Sequence, residues 1–171
     1  MQQSKRVAGR EPAIPTPQQG TALRLLRNVA IVATLGIAAP AYAQFAKPED
    51  AYKYRTGVMT LQGAHMGRIN SQLRAPSPNL QAIAENAVLL DTLNKLFYTA
   101  FPEGSDMIAN SRAKPEIWKN QAKFKEYADR LNGDVAKLVA VSKSGDLTAT
   151  RSAFQATAGA CKACHDDFRR D

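Results

Sequence analysis

Two cysteines and one histidine near the carboxyl terminus form the most specific chemical motif of the chain. Cys161 and Cys164 are three residues apart, and His165 follows directly, in the run Cys-Lys-Ala-Cys-His. On a helix, residues three and four apart share a face, so these side chains project to one side. C-x-x-C-H is the attachment signature of a c-type haem, in which the thiols bond the porphyrin vinyl groups and the imidazole binds the iron. The motif predicts one covalent haem c held through Cys161 and Cys164, with His165 as the iron ligand.

Other interpretations of the same residues explain less. A zinc site needs four ligands, and only His65 and scattered carboxylates remain to complete it. A thioredoxin-like redox pair expects a βαβ context, and no alternating strand pattern occurs in the sequence. A plain disulfide between the cysteines leaves His165 without a role. A chance C-x-x-C-H in a chain of 171 residues has a probability on the order of one in a thousand.

The amino-terminal segment has the pattern of an export signal. Residues 1–27 carry five basic side chains against one acid, and residues 29–39 form an apolar stretch too short to span a bilayer. Ala41-Tyr42-Ala43 is a small-x-small cleavage site, followed by Gln44. The alternative is a buried helix or an uncleaved membrane anchor. We expect residues 1–43 to be a cleaved signal peptide and residues 44–171 to be one domain in the periplasm.

Composition and charge narrow the remaining function classes. The net charge of +8 invites a nucleic-acid interpretation. Residues 1–43 hold five of the 23 basic residues and one of the 15 acids, so 18 basic and 14 acidic residues remain and the mature charge is +4. No basic block with interleaved aromatics remains, so we expect no nucleic-acid partner. No apolar run of about 18 residues occurs, so we expect no membrane contact after cleavage.

Apolar residues recur with a helical period of about 3.6 in four segments of the mature chain. The predicted helices cover residues 48–73, residues 80 to about 101, residues 115–141, and residues 147 to the carboxyl terminus. Pro48 suits a first helical turn, and Pro102 and Gly104 end the second segment. Gly145 suits the end of the third helix and Asp146 the N-cap of the fourth. Four helices with mostly short connections predict an all-α fold, an antiparallel four-helix bundle enclosing the covalently bound haem.

Three segments of the mature chain resemble one known family. They are the carboxyl-terminal CKACHDDFRR, the mature start QFAKPEDAYKYR and the AKPEIW that opens the third predicted helix. These look like cytochrome c′, the class II c-type cytochromes whose haem motif lies near the carboxyl terminus, and the resemblance covers essentially all of residues 44–171. It implies a homodimer and a five-coordinate, high-spin iron that binds nitric oxide and carbon monoxide on its open face. In this family the physiological role is nitric oxide handling, electron transfer, or both.

The resemblance also implies roles for further residues. Arg55 and Arg169 match arginines that lie near the haem, with Arg55 toward a propionate, although a solvated surface position is the alternative for each. Thr56 takes the place of a residue that is often Gln. Met59 lies on the open side of the iron, where relatives carry a bulky apolar side chain that blocks large or charged ligands. Met59 is alternatively an ordinary core methionine, or the sixth ligand as in low-spin class II relatives.

Two functions follow from these expectations. The first is a binding protein for small gases that also carries electrons, and the alternative is a low-spin electron-transfer cytochrome with Met59 on the iron and a redox partner protein. An enzyme is not expected, because no distal histidine has an acid or arginine beside it at recognisable spacing. His65 is expected at the surface or an interface. Gly63 and Gly67 weakly support a dimer built on the first two helices.

Overall fold

The computed structural model describes residues 44–171, and the predicted signal peptide lies outside them. Four long helices, one short helix and a 3-10 turn make up most of this part of the chain. They are α1 (Pro48–Arg74), α2 (Leu80–Phe97), the 3-10 turn Tyr98–Ala100, α3 (Glu116–Lys119), α4 (Gln121–Ser144) and α5 (Leu147–Phe168). The predicted all-α class is confirmed, and the four long helices are those expected from the apolar period.

Helix starts follow from local side-chain chemistry. Pro48 occupies the first turn of α1, with two acids beside it at the positive end of the helix dipole. The Asn79 Oδ1 atom accepts a hydrogen bond of 3.0 Å from the Ala82 amide at the start of α2. Asp146 caps α5 in the same way, through an acceptor distance of 2.8 Å to the Ala149 amide. These side chains satisfy amide groups that have no partner within the helix.

The largest differences between the predicted helices and the structure concern the end of the second and the course of the third. The second helix ends at Phe97 and tightens into the 3-10 turn, four residues before the predicted end. The third predicted helix is broken at Asn120, whose backbone φ of −134° is not helical. The Asn120 side chain accepts a 3.1 Å hydrogen bond from the Lys123 amide. Asn therefore acts as an N-cap that starts α4 and separates it from the short α3.

The long helices form a bundle with one sparsely packed side. Extensive contacts join α1 to α2, α2 to α4 and α4 to α5, whereas α1 touches α5 only lightly. Short connections make α1 and α2, and likewise α4 and α5, antiparallel neighbours. Residues buried between the helices include Val58, Ile69, Ile83, Ala87, Leu90, Leu131, Val135, Leu138, Ala153 and Ala160. The α1–α5 side is therefore the least tightly joined side of the bundle.

One end of the bundle is closed by an aromatic cluster. Phe124 near the start of α4 meets Phe97 at the end of α2 and Phe168 at the end of α5, with ring centroids 6.2 and 5.3 Å apart. Phe101 packs on Phe124 at 4.9 Å and on Trp118 at 5.8 Å. All but the last of these contacts are edge-on, the arrangement that the ring quadrupoles favour. We call these five residues the aromatic end of the bundle.

Candidate haem-attachment site

The two cysteines lie on the last turns of α5, half-buried against the core. Burial raises the pKa of the Cys161 thiol. Burial, together with the neighbouring Cys161 and Asp167, raises the pKa of Cys164 to about 11. Both thiols are therefore protonated at neutral pH and weakly reactive as nucleophiles. They face an apolar environment, which suits a bond to an apolar porphyrin edge.

His165 follows on the outer part of the same turn. The residue is exposed, yet partial desolvation of the ring lowers its pKa, and the positive charges of Arg169 and Arg112 lower it further, against a smaller opposing effect of Asp166. A neutral imidazole has a free lone pair on one ring nitrogen, which is the form that binds a metal. The His165 side chain is thus in the protonation state that iron ligation needs.

The turn that carries the motif is fixed to the rest of the fold on two sides. On one side, the Asp167 carboxylate accepts hydrogen bonds from the Tyr127 hydroxyl at 2.7 Å and from Lys123 Nζ at 2.8 Å. On the other, residues 112–114 run along residues 168–170. The Lys114 amide donates to the Phe168 carbonyl at 2.9 Å. The orientation of α5 at the motif is therefore set by α4 and by the loop before α3.

Arg169 is part of the contact between the carboxyl-terminal residues and the loop before α3. Its backbone pairs with Ala113 in a single antiparallel bridge, and its amide donates to the His165 carbonyl at 2.9 Å. The side chain is exposed. Its guanidinium acts on His165 by charge, as the lowered imidazole pKa shows. The expected position of Arg169 near a haem stays a prediction.

Arg55 is buried, with 3% of its surface exposed. Its Nη2 donates to the Ser105 carbonyl at 2.9 Å and to the Ser111 hydroxyl at 3.0 Å. Its Nη1 donates to the Ser105 hydroxyl at 3.0 Å and, more weakly, to the Ala100 carbonyl at 3.4 Å. Sequence reasoning weighed a solvated position against a haem contact and did not foresee this loop anchorage.

Three aromatic rings complete a cage around the Arg55 guanidinium. Its carbon atom lies 5.2 Å from the Phe101 ring centre, 5.4 Å from Tyr52 and 5.6 Å from Trp118. Such cation–π contacts are favourable where water is excluded. Burial lowers the Arg55 pKa from its usual value, but an arginine stays charged. No described carboxylate forms a salt bridge with Arg55, so its charge is met by neutral dipoles and ring faces.

Thr56 and Met59 are the other two α1 candidates. Thr56 is exposed, and its hydroxyl donates to the Tyr52 carbonyl at 2.8 Å within the helix. Met59 is 36% exposed and lies one turn beyond Arg55. A flexible thioether that is not fully packed can change rotamer at little cost. The structure therefore leaves Met59 free to act as a movable apolar side chain.

Helix directions bring Met59 and the haem motif to one level of the bundle. Arg55 lies against the aromatic end, and Met59 is four residues further into α1. Phe168 belongs to the aromatic end, and His165 is three residues further into α5. Both residues are thus about one turn in from the same end. α1 and α5 are also the adjacent pair with the sparsest mutual contact.

The structure buries two further polar residues, of which the sequence analysis considered only one. His65 is buried between α1 and α2, where its Nδ1 atom lies 2.8 Å from the Asn86 Oδ1 atom. His65 was expected at the surface or an interface, whereas the structure buries it between two helices of one chain. Asn94, which sequence reasoning missed, is 1% exposed and accepts a 2.7 Å hydrogen bond from Gln62 Nε2. The available signal was a polar residue at a core position of α2, midway between Leu90 and Phe97.

These observations fit a haem c. Two neutral, half-buried thiols and a neutral imidazole lie on one turn of α5. The motif lies on α5, which has only sparse contact with its neighbour α1. Within residues 44–171, no group of three or more His, Cys, Asp or Glu residues is arranged to hold a bare metal ion. Nor does this region contain a helix that is long and apolar enough to cross a membrane.

Comparison with known proteins gives a consistent family. Residues 50–169 match the family described as Cytochrome C′. The cytochrome c′ of Rubrivivax gelatinosus is 42% identical over 127 residues, which are 74% of this chain and 98% of that protein. Its crystal structure superposes with a TM-score of 0.71, covering 74% of this chain and 100% of the other.

Two solved structures of cytochrome c prime from Alcaligenes xylosoxidans are also similar. One is the nitric oxide complex of a leucine-to-alanine mutant, with a TM-score of 0.69 and 38% identity over 75% of this chain and 99% of the other. The other is a carbon monoxide-bound leucine-to-glycine variant, with the same TM-score, identity and share of this chain, and covering 100% of the other.

Proposed function

The chain belongs to the cytochrome c′ family, which binds haem c covalently, and from this premise we propose that it is a periplasmic gas-binding haem protein with five-coordinate, high-spin iron. The observation that carries the proposal is the C-x-x-C-H motif on the last turns of α5, with Cys161 and Cys164 half-buried against the core. Nitric oxide and carbon monoxide are the proposed ligands, by analogy with the complexes of the Alcaligenes protein. Electron carriage to a partner protein is a second use of the same iron. We do not propose an enzyme.

The residues on α5 have distinct tasks in this proposal. Cys161 and Cys164 would attach the porphyrin, and His165 would be the protein ligand of the iron. When bound, the haem would supply an iron that can take up a diatomic gas or gain and lose one electron. The Asp167 contacts with Tyr127 and Lys123 hold the turn so that the imidazole keeps its direction. The Arg169 charge favours the neutral imidazole.

The residues on α1 form the proposed open side and its edge. Met59 would exclude large or charged ligands from the open side of a bound haem, and its flexible side chain would move aside for a small neutral gas. The expected contact of Arg55 with a haem propionate does not fit its buried position, where its donors go to Ser105 and Ser111, so its proposed task is to anchor the loop next to α1. Thr56, the next residue on α1, is exposed, and its hydroxyl donates to the Tyr52 carbonyl.

The alternative is a low-spin electron-transfer cytochrome in which the Met59 thioether is the sixth ligand. One observation favours it: Met59 is unbranched, partly exposed and at the level of His165. A thioether ligand raises the reduction potential of a haem and leaves no free axial position for a gas. The two candidates therefore differ in spin state and in ligand binding.

Absorption spectra separate the two candidates. The purified holoprotein is measured in the ferric and ferrous states, with and without carbon monoxide. The proposed function predicts high-spin spectra in both states and a new ferrous band with carbon monoxide. A low-spin wild type that becomes high-spin in Met59→Ala supports the alternative. Under the proposed function, Met59→Ala instead raises the affinity for carbon monoxide and admits bulkier ligands.

The periplasmic location and the dimer need their own tests. Mass spectrometry of the periplasmic fraction is expected to find a polypeptide of residues 44–171 plus one haem, whereas an intact leader would contradict export. For the dimer, exposed Leu61 on α1 and Val88, Leu89 and Leu96 on α2 supply apolar surface. A Cβ atom at Gly63 meets no neighbour within 4 Å in the described structure, so a second helix can approach there. Analytical ultracentrifugation at micromolar concentration is expected to show a dimer, and a persistent monomer refutes it.

A further inference from the structure

Asn94 is a polar side chain at the centre of an otherwise apolar helix face. It lies on α2 between the buried residues Leu90 and Phe97, and 1% of its surface is exposed. Its Oδ1 atom accepts a 2.7 Å hydrogen bond from Gln62 Nε2 on α1. Its Nδ2 atom has no hydrogen-bond partner among the described residues. Buried amide donors are almost always paired, so this N–H group calls for a partner that the polypeptide does not supply.

The position of Asn94 along the bundle matches that of the haem motif. Phe97 and Phe168 both pack edge-on against Phe124, so α2 and α5 end at the same level. Asn94 is three residues before Phe97, and His165 is three residues before Phe168. Each residue is thus one turn in from the aromatic end, in the same layer.

The hydrogen bond with α1 brings Asn94 next to the part of α1 that carries Met59. Gln62 is three residues after Met59 and shares a face of α1 with it. Side chains on a helix lean toward its amino terminus, so Gln62 leans back toward Met59. The Gln62 amide holds the Asn94 carboxamide by its oxygen, which leaves the NH2 group of Asn94 as the free end. A fixed donor therefore lies in the layer shared by Met59 and His165.

We propose that Asn94, oriented by Gln62, is the hydrogen-bond donor of the gas pocket and selects for ligands that carry negative charge on their outer atom. The inference rests on the proposed function and adds a specificity residue to the same site. In a low-dielectric pocket, a pre-oriented N–H group stabilises such charge more than it would in water. Bound nitric oxide places more negative charge on its oxygen than carbon monoxide does. Asn94 is therefore a positioning and selectivity residue, and Met59 a steric one.

The infrared C–O stretch of the ferrous carbon monoxide complex tests this directly, because a donor at the outer oxygen lowers that frequency. In Asn94→Leu, a substitution of similar size, we expect the stretch to rise and the ratio of nitric oxide affinity to carbon monoxide affinity to fall about five-fold, the effect of losing one neutral hydrogen bond. Gln62→Leu keeps the Asn94 donor but releases it, so we expect a broadened or split band. The second variant keeps the test decisive if Asn94→Leu folds poorly.

Asn86→Leu is the matched control, with the same substitution on the same helix, eight residues from Asn94. Asn86 contacts His65, so its replacement removes a half-buried amide without entering the proposed pocket. We expect an unchanged C–O stretch in this variant. A stretch that is the same in wild type, Asn94→Leu and Gln62→Leu overturns the inference while leaving gas binding intact. A wild type that binds no carbon monoxide overturns the proposed function itself.

Discussion

The caged guanidinium of Arg55 yields the sharpest stability prediction. The side chain makes three hydrogen bonds of 2.9–3.0 Å to Ser105 and Ser111 and lies against three aromatic rings. It thereby ties the start of α1 to the loop between α2 and α3. Arg55→Met keeps an apolar stem against the rings but removes every donor. We expect the loop to lose its anchor and the holoprotein to be destabilised.

The size of the expected loss in the free energy of unfolding follows from opposing effects. A hydrogen bond to a charged group contributes about 1.5–3 kcal/mol, so three short bonds contribute several kcal/mol before corrections. The substitution also leaves Ser105 and Ser111 without this donor, while removal of a buried charge relieves a desolvation penalty of a few kcal/mol. We expect a net loss of about 3 kcal/mol in the free energy of unfolding. For a domain of this size the midpoint of thermal unfolding falls by roughly 10 °C.

Urea and thermal unfolding of the holoprotein measure this loss, and limited proteolysis within residues 102–114 reports on the loop. Arg68→Met is the control, because Arg68 is an exposed arginine on the same helix and its replacement is expected to change stability by about 0.5 kcal/mol or less. Ser111→Ala tests the cage from the loop side and is expected to cost about 1 kcal/mol. If Arg55→Met behaves like Arg68→Met, the cage does not hold the loop and the reasoning is refuted.

The remaining predictions concern the attachment and the helix ends. Cys161→Ala combined with Cys164→Ala is expected to yield haem that acid acetone extracts, whereas wild-type haem resists; extraction from the wild type would exclude thioether bonds. Asn120→Ala and Asp146→Ala each remove an N-cap and are expected to cost about 1 kcal/mol in urea unfolding; a neutral Asn120→Ala would mean that α3 and α4 can run on as one helix. Gly145→Ala introduces a Cβ atom at φ +80° and is expected to cost about 1 kcal/mol; a stabilising effect in calorimetry would contradict the left-handed helix end.

The haem motif could be predicted because its information is local. Cys161, Cys164 and His165 lie within five residues, and their spacing on any helix gives one face. The helix starts at Pro48 and Asp146 could also be predicted from the sequence, because proline geometry and capping act over one turn. The break at Asn120 was missed although its signal is also local, because the apolar period runs across it.

Tertiary structure decided what the polar residues do. Arg55, Gln62 and Asn94 are each three or four residues from an apolar core position, and nothing in their local sequence tells a buried polar side chain from a solvated one. Their partners lie 32 to 56 residues away, at Ser105 and Ser111 for Arg55 and across the helix pair for Gln62 and Asn94. Burial makes such groups costly unless they are paired, so the packing of α1, α2 and the loop sets their roles. The sequence by itself thus determined the four long helices and the attachment chemistry, whereas the environment of Arg55, Gln62 and Asn94 arose only when distant segments met.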